Sequence, residues 1–354
     1  MKKICCILIT TILMLYVTSC NSVEVKPNEF VSKNDFYLDT IVDIKIYDSS
    51  ISTQEAENII DKAFSRIEEL EDLLSLHIEG SDLYKIKENA GLDHVKVSEE
   101  TIHVIKSSLE YSQLSNGHFD ITTGILVGLW VIDPPNGYIP TNSELDDALP
   151  KIDYKKIQID EENSTVKLED EGMIADLGAI AKGYIADEVK EVLVDNGVKH
   201  AIIYLGGNIL LVGNKENNVD FKIGIQEPSA NRGAYLGLIS GNDISVVSSG
   251  DYERYFEVDG KRYHHILDPQ TGYPADNELR QVTIISKESM DGDGLSTSAF
   301  LLGLEDGIDL IESLIDTEAI FVTKDYKIYI TSGIGDVFEF DEQNYGDDYE
   351  VIRP

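Results

Sequence analysis

Apolar positions at helical spacing mark one long helix early in the chain: Ala56, Ile59, Ala63, Ile67, Leu70 and Leu74 share a face. Ser52 and Glu55 stand three apart at its start as a capping box. Just before it, residues 37–47 change to period 2, with Val42, Ile44 and Ile46 alternating against Asp43 and Lys45, which predicts a half-buried strand. Ser81 and Ser98 cap two further helices, the second closed at Gly117.

Period 2 returns at 252–258, where Tyr252, Arg254, Phe256 and Val258 alternate with Glu253, Tyr255 and Glu257. Asp259-Gly260 supplies the two positive-φ positions of a tight turn, and 261–267 is the returning strand. It runs through His264-His265 into Asp268-Pro269 and Thr271-Gly272-Tyr273-Pro274, where Pro and Gly stop the ladder. Residues 134–150 read as a loop and short helix, and 157–160 with 166–168 as a hairpin. Strand-turn-strand over 200–213, a strand over 221–228, and closing strands at 319–323 and 327–330 complete the set. Strands and helices follow one another without a strict βαβ rhythm and with clear hairpins. The pattern predicts a single α+β domain with mixed or antiparallel sheets and flanking helices, without internal repeat or second linker.

The first residues do not fit that domain. Met1-Lys2-Lys3 is a charged start and 4–17 a short apolar run, below the roughly 20 residues that span a bilayer. The run ends in Val17-Thr18-Ser19-Cys20, small residues before a Cys, which reads as a lipoprotein signal over 1–19 with Cys20 acylated; an ordinary secretory signal is the weaker reading. Residues 20–35 then form the lipidated Cys and a polar tether, and 36–354 the folded domain. Cys5 and Cys6 leave with the signal, so no internal disulfide is available after processing.

Charge narrows the partners. With 29 Lys and Arg against 65 Asp and Glu, the net charge is −36, which disfavours nucleic acid and anionic headgroups as partners of the surface. A phosphate-bearing ligand must be bound against that field, by a cation or a local Lys.

Three stretches carry candidate chemistry. Paired histidines at a strand end ordinarily resolve into one buried and one exposed, yet a strand that runs into a rigid turn is also a good place to hold an imidazole. Residues 176–187, Asp-Leu-Gly-Ala-Ile-Ala-Lys-Gly-Tyr-Ile-Ala-Asp, pass from a strand end into a helix, where free N–H groups and Lys182 can face phosphate. Small residues there also permit simple close packing. Asp291-Gly292-Asp293-Gly294 suggests a calcium loop, but the fifth, sixth and twelfth positions are Leu295, Ser296 and Leu302, so that reading fails. Asp293 and Thr297, four apart at the opening of a helix, project oxygens to one side and suit a hard cation or, alone, an acidic cap.

In order, these stretches resemble the ApbE-type flavin transferases over roughly 36–340. The resemblance rests on Ser249-Gly250-Asp251-Tyr252-Glu253-Arg254-Tyr255, His264-His265-Ile266-Leu267-Asp268-Pro269 and Thr271-Gly272-Tyr273-Pro274, together with Gly117-His118-Phe119-Asp120-Ile121-Thr122, Asp176-Leu177-Gly178-Ala179-Ile180-Ala181-Lys182-Gly183, and the Asp293-x-x-x-Thr297 spacing. It implies His265 as catalytic base and a Mg²⁺ held by Asp293, Thr297 and the Ala179 carbonyl. It also implies FAD contacts at Leu38, His77, His118, Phe119, Asp120, Asp176, Lys182 and Ile266. Leu38-Asp39-Thr40 stands where the family has Met-Gly-Thr, and His77 where many relatives carry Tyr. The implied activity is Mg²⁺-dependent attachment of FMN from FAD to a threonine of an extracytoplasmic protein, such as a subunit of a membrane redox complex, with release of AMP. The implied place is the outer face of the cell membrane, through a lipid anchor. A Mg²⁺-dependent FAD diphosphatase giving FMN and AMP would use the same residues with water. A non-catalytic flavin-binding lipoprotein is disfavoured by His265, Asp293 and Thr297.

Overall fold

The computed structural model describes residues 30–132 and 137–354. The expected signal, Cys20 and the tether up to residue 29 lie outside the described residues, as do residues 133–136 of the expected loop. Strand Val31–Tyr37 pairs antiparallel with Thr40–Ile46. Their turn, Leu38-Asp39, takes φ of 53° and 56°, the left-handed pair of a type I′ hairpin. The folded chain therefore starts ahead of the expected Phe36. Val-Ser-Lys-Asn-Asp-Phe-Tyr is an edge strand whose side chains are all exposed or half-buried, so it carries no apolar alternation to read.

Among the described residues nine strands form one sheet. Its order is Val31–Tyr37, Thr40–Ile46, Ala201–Leu205, Asn208–Val212, Ser245–Gly250, Leu279–Ser286, Glu318–Thr323, Lys327–Ile330 and Glu350–Ile352. Neighbours run antiparallel except the last pair, which is parallel. Period-2 alternation gives the sheet two apolar faces. Val42, Ile44, Leu210, Val282 and Ile284 point to helices Thr53–Leu74, Ala181–Asp195 and Ser289–Leu302. Leu211, Val246, Ile285 and Ile320 point to a three-stranded sheet of Phe338–Phe340, Tyr235–Gly241 and Phe221–Gln226. Each fully buried Leu, Ile or Phe contributes about 1.5–3 kcal/mol, so the sheet is held from both sides.

Ser52, Ser81 and Ser98 each accept the N–H three residues on, at the starts of Thr53–Leu74, Asp82–Glu88 and Glu99–Leu114. The expected strand over 252–258 is shorter, Tyr255–Val258, and its partner Lys261–His264 stops at His264. Beyond it the Ile266 carbonyl accepts from the Ala275 N–H, so the chain leaves the hairpin and enters the main core. Asp259 and Gly260 form the turn with φ of 52° and 75°. Under this hairpin Trp130, Leu145, Phe256 and Leu267 make a small separate cluster. The expected strand end before 176 is a single bridge, Ile174 to Thr123.

Helix Ser289–Leu302 begins earlier than expected, so Asp293 and Thr297 lie inside it. Gly292 is where the helix presses on the sheet: a Cβ there would lie 2.7 Å from Val247 Cγ2. The helix is buried on nearly every side, which removes the amphipathic signal that would have marked its start.

Candidate active site

Two helices meet where the cation chemistry was expected. At the start of Ala181–Asp195 the Gly183 N–H does not bond the Ala179 carbonyl; it donates instead to Asp293 Oδ2 at 2.9 Å. Among the described residues no hydrogen bond reaches the Ala179 carbonyl or Asp293 Oδ1. Lys182 Nζ lies 3.9 Å from Asp293 Oδ1 and donates to the Gly178 carbonyl at 3.1 Å. The Asp293 side chain is only 6% exposed. Thr297, one turn along, has its hydroxyl 3.3 Å from Ser249 Oγ, which also lies 2.8 Å from Ser296 Oγ. Asp176 Oδ1 accepts the Gly178 N–H at 2.7 Å and shapes the turn before the helix.

A second contact locks the same helix pair. Asp187 accepts the N–H groups of Ser289 and Met290 at 2.7 and 2.8 Å, capping a helix whose own N-cap, Glu288, makes no side-chain bond. Burial pushes the Asp187 carboxyl up to about 7. Gly183 permits the approach, since a Cβ there would lie 2.3 Å from the Ser289 carbonyl oxygen. Neither Asp187 nor Gly183 was assigned a task from the sequence; the only available signal was their spacing of four on one helix, beside Lys182.

The donors suit a hard cation. A carboxylate oxygen, a hydroxyl and a main-chain carbonyl are an oxygen set of the kind Mg²⁺ takes, with water completing the shell. Among the described residues no three His, Cys, Asp or Glu side chains cluster as a metal site, so Asp293 would be the only charged member of this set.

The two histidines differ in burial and in bonding. His264 is 5% exposed and both ring nitrogens are engaged: Nδ1 accepts the Ile266 N–H at 3.3 Å, and Nε2 donates to the Ala275 carbonyl at 2.9 Å. His265 is half-buried, with Nδ1 3.3 Å from the Arg254 carbonyl and, among the described residues, Nε2 free of hydrogen bonds. Burial, then the charge of Arg254 and the neighbouring His264, pushes the His265 imidazole down to about 3. The ring is therefore neutral at physiological pH and presents one lone pair.

The remaining expected contacts fall in two groups. Leu38 is half-buried in its turn, its N–H donating to Glu71 Oε1 at 3.0 Å, and His77 is exposed just beyond helix Thr53–Leu74. His118 is half-buried, with Nε2 3.2 Å from Gln270 Nε2 and a buried Nδ1 that has no partner among the described residues. Phe119, 2% exposed, packs edge-on against Tyr111, and Ile266 is buried in the main core. Asp120, expected as a polar contact, is buried, 8% exposed. Its carboxylate accepts the Thr122 N–H and hydroxyl at 2.7 and 2.6 Å and the Tyr154 N–H at 2.9 Å. A short polar side chain followed two residues later by Thr favours this local turn.

The ApbE family model matches residues 38–321. The FAD:protein FMN transferase of Klebsiella pneumoniae (strain 342) is 40% identical over 276 residues, covering 78% of this chain and 85% of that protein. The FAD:protein FMN transferase of Treponema pallidum (strain Nichols) is 32% identical over 318 residues, 86% of this chain and 88% of that protein. Among solved structures, the ApbE protein of Thermotoga maritima superposes with a TM-score of 0.76 at 30% identity, over 91% of this chain and all 100% of that one. The flavin transferase ApbE of Vibrio cholerae gives 0.77 at 28% identity, over 86% and 97%. The α+β architecture is thus that of the ApbE structures, and the molecule is a transferase. The chain belongs to the ApbE family.

Proposed function

We propose that this enzyme moves the FMN half of FAD onto a threonine hydroxyl of an extracytoplasmic protein and releases AMP. The observation that carries the reading is the Lys182–Asp293 pair, 3.9 Å apart, with the Gly183 N–H turned from the Ala179 carbonyl to Asp293. In a chain of net charge −36 this is where a cation and an ammonium together can hold a pyrophosphate. Mg²⁺ bound by Asp293, Thr297 and the Ala179 carbonyl would neutralise phosphate charge as it builds on the leaving group.

The chain's own residues do the rest. Lys182 pairs with phosphate oxygens, and Leu38, His77, His118 and Asp176 border the place for the nucleotide. His265 Nε2 takes the proton of the acceptor hydroxyl as its oxygen bonds to the FMN phosphorus. The bond from that phosphorus to the AMP phosphate oxygen breaks, and AMP carries away the electron pair. Burial is the main cause that holds His265 low and the charge of Arg254 the next; pyrophosphate beside Lys182 and Arg254 offsets the part due to charge, which makes the ring a better base when substrate is bound. Residues 1–19 are read as a signal and Cys20 as the acylated anchor, which places the domain on the outer face of the membrane.

The test is to incubate the purified protein with FAD, Mg²⁺ and extracytoplasmic proteins of its host, and to look for flavin fluorescence that survives denaturing electrophoresis. A labelled band supports transfer. FAD consumption with only free FMN and AMP would replace it with the hydrolase reading.

A further inference from the structure

His265 is oriented by a main-chain carbonyl. The Arg254 C=O accepts the His265 backbone N–H at 3.1 Å and lies 3.3 Å from ring Nδ1. A carbonyl can only accept, so the ring contact is a hydrogen bond only when Nδ1 carries the proton, and the lone pair is then on Nε2. That carbonyl belongs to 251–254, the turn that links strand Ser245–Gly250 to the hairpin.

The turn is anchored at its other end by a buried charge. Asp251 is 4% exposed; its N–H donates to the Arg280 carbonyl at 3.0 Å, and its Oδ1 accepts from both Arg262 and Arg280 at 3.3 Å. Arg280 sits on the main-sheet strand Leu279–Ser286, and Arg262 on Lys261–His264, the strand that delivers the histidines. One carboxylate therefore ties the histidine-bearing strand to the sheet through the residue that begins the turn. Arg262 is fixed in turn, its guanidinium 3.9 Å over the Tyr255 ring. Burying an ion pair is costly and a poor route to stability alone, and the step proposed above uses no carboxylate here.

We propose that Asp251 is a positioning residue for His265: by holding the 251–254 turn it keeps the Arg254 carbonyl on Nδ1 and so makes Nε2 the proton acceptor. The task follows from the reading of His265 as base, but the tautomer is observable without turnover.

The test uses the full protein labelled with ¹⁵N-histidine, the His265 signals being assigned by their loss in His265→Gln. In the wild type at neutral pH, long-range ¹H–¹⁵N correlations should show His265 protonated on Nδ1. Asp251→Ala should shift it to a mixture with the Nε2-protonated form, and Asp251→Asn, which keeps an acceptor oxygen, should lie between. kcat should fall about 10- to 100-fold, part of the 10²–10⁴ that general base catalysis supplies, with KM for FAD nearly unchanged. If Asp251→Ala does not fold, Arg262→Met removes one guanidinium partner from outside the turn and is read in the same way. His265 protonated on Nε2 in the wild type would overturn the proposal, as would an unaltered tautomer in both variants. A tautomer set by Asp251 in a protein that never consumes FAD would support the positioning role and overturn only the transferase reading.

Discussion

Replacing Asp293 with Asn separates the charge of the site from its shape. The amide oxygen can still accept the Gly183 N–H, now held at 2.9 Å, so the net 0.5–1.5 kcal/mol typical of such a bond, about 1 kcal/mol, is retained. Lys182 loses a partner 3.9 Å away, but its side chain is 26% exposed and solvent screens the loss to about 1 kcal/mol or less. Folding stability should therefore change by about 1 kcal/mol at most. The proposed cation, by contrast, would lose its only carboxylate. Changing groups that merely support a metal ligand costs about 10–100-fold in affinity, so removing the ligand's own charge should cost at least about 100-fold, roughly 2.8 kcal/mol. The assay is a Mg²⁺ titration of FAD turnover, with thermal unfolding run on the same samples. Half-saturating Mg²⁺ unchanged in Asp293→Asn, or full wild-type turnover in EDTA, would refute the cation site.

His265→Ala should abolish transfer while FAD binding, followed by flavin fluorescence quenching, persists; loss of binding would make the residue a ligand contact. Because the folded imidazole sits near 3 rather than 6.5, kcat/KM should show no acid limb near 6.5. Below that value the unfolded chain takes up a proton that the folded one refuses, so thermal stability should fall as pH drops from 6.5 towards 3, and less so in His265→Gln. Gly183→Ala places a Cβ 2.3 Å from the Ser289 oxygen and should destabilise by about 1–3 kcal/mol in denaturant unfolding, with weaker Mg²⁺ binding as the helices part. Cys20→Ser should move the protein out of the membrane fraction or block its processing, and unchanged partition would end the lipid-anchor proposal.

What could be read from the chain was whatever local rules decide. The apolar face of Thr53–Leu74, the serine caps and the Asp259-Gly260 turn all follow from spacing and turn chemistry, and the structure has them where expected. What tertiary pairing decides was hidden. Val31–Tyr37 is polar because it is an edge, and Glu350–Ile352 is too short to announce a parallel partner. Ser289–Leu302 is too buried to show a face. The site divides in the same way. Family resemblance singled out Lys182, Asp293, Thr297 and His265 by type, but which histidine keeps a free nitrogen depends on Ile266, Ala275 and Arg254 bonding particular ring atoms. The diversion of the Gly183 N–H from Ala179 to Asp293, and the Asp187 cap behind it, join residues from two helices far apart in sequence, which no spacing rule reaches.

Covalent transfer would be read from the mass of an intact acceptor protein. After incubation with enzyme, FAD and Mg²⁺, the acceptor should gain the mass of one FMN residue, with AMP released in equal amount. The label should map to a threonine, and replacing that threonine should remove it. An acceptor of unchanged mass, under conditions where FAD is consumed and FMN appears free in solution, would show hydrolysis in place of transfer.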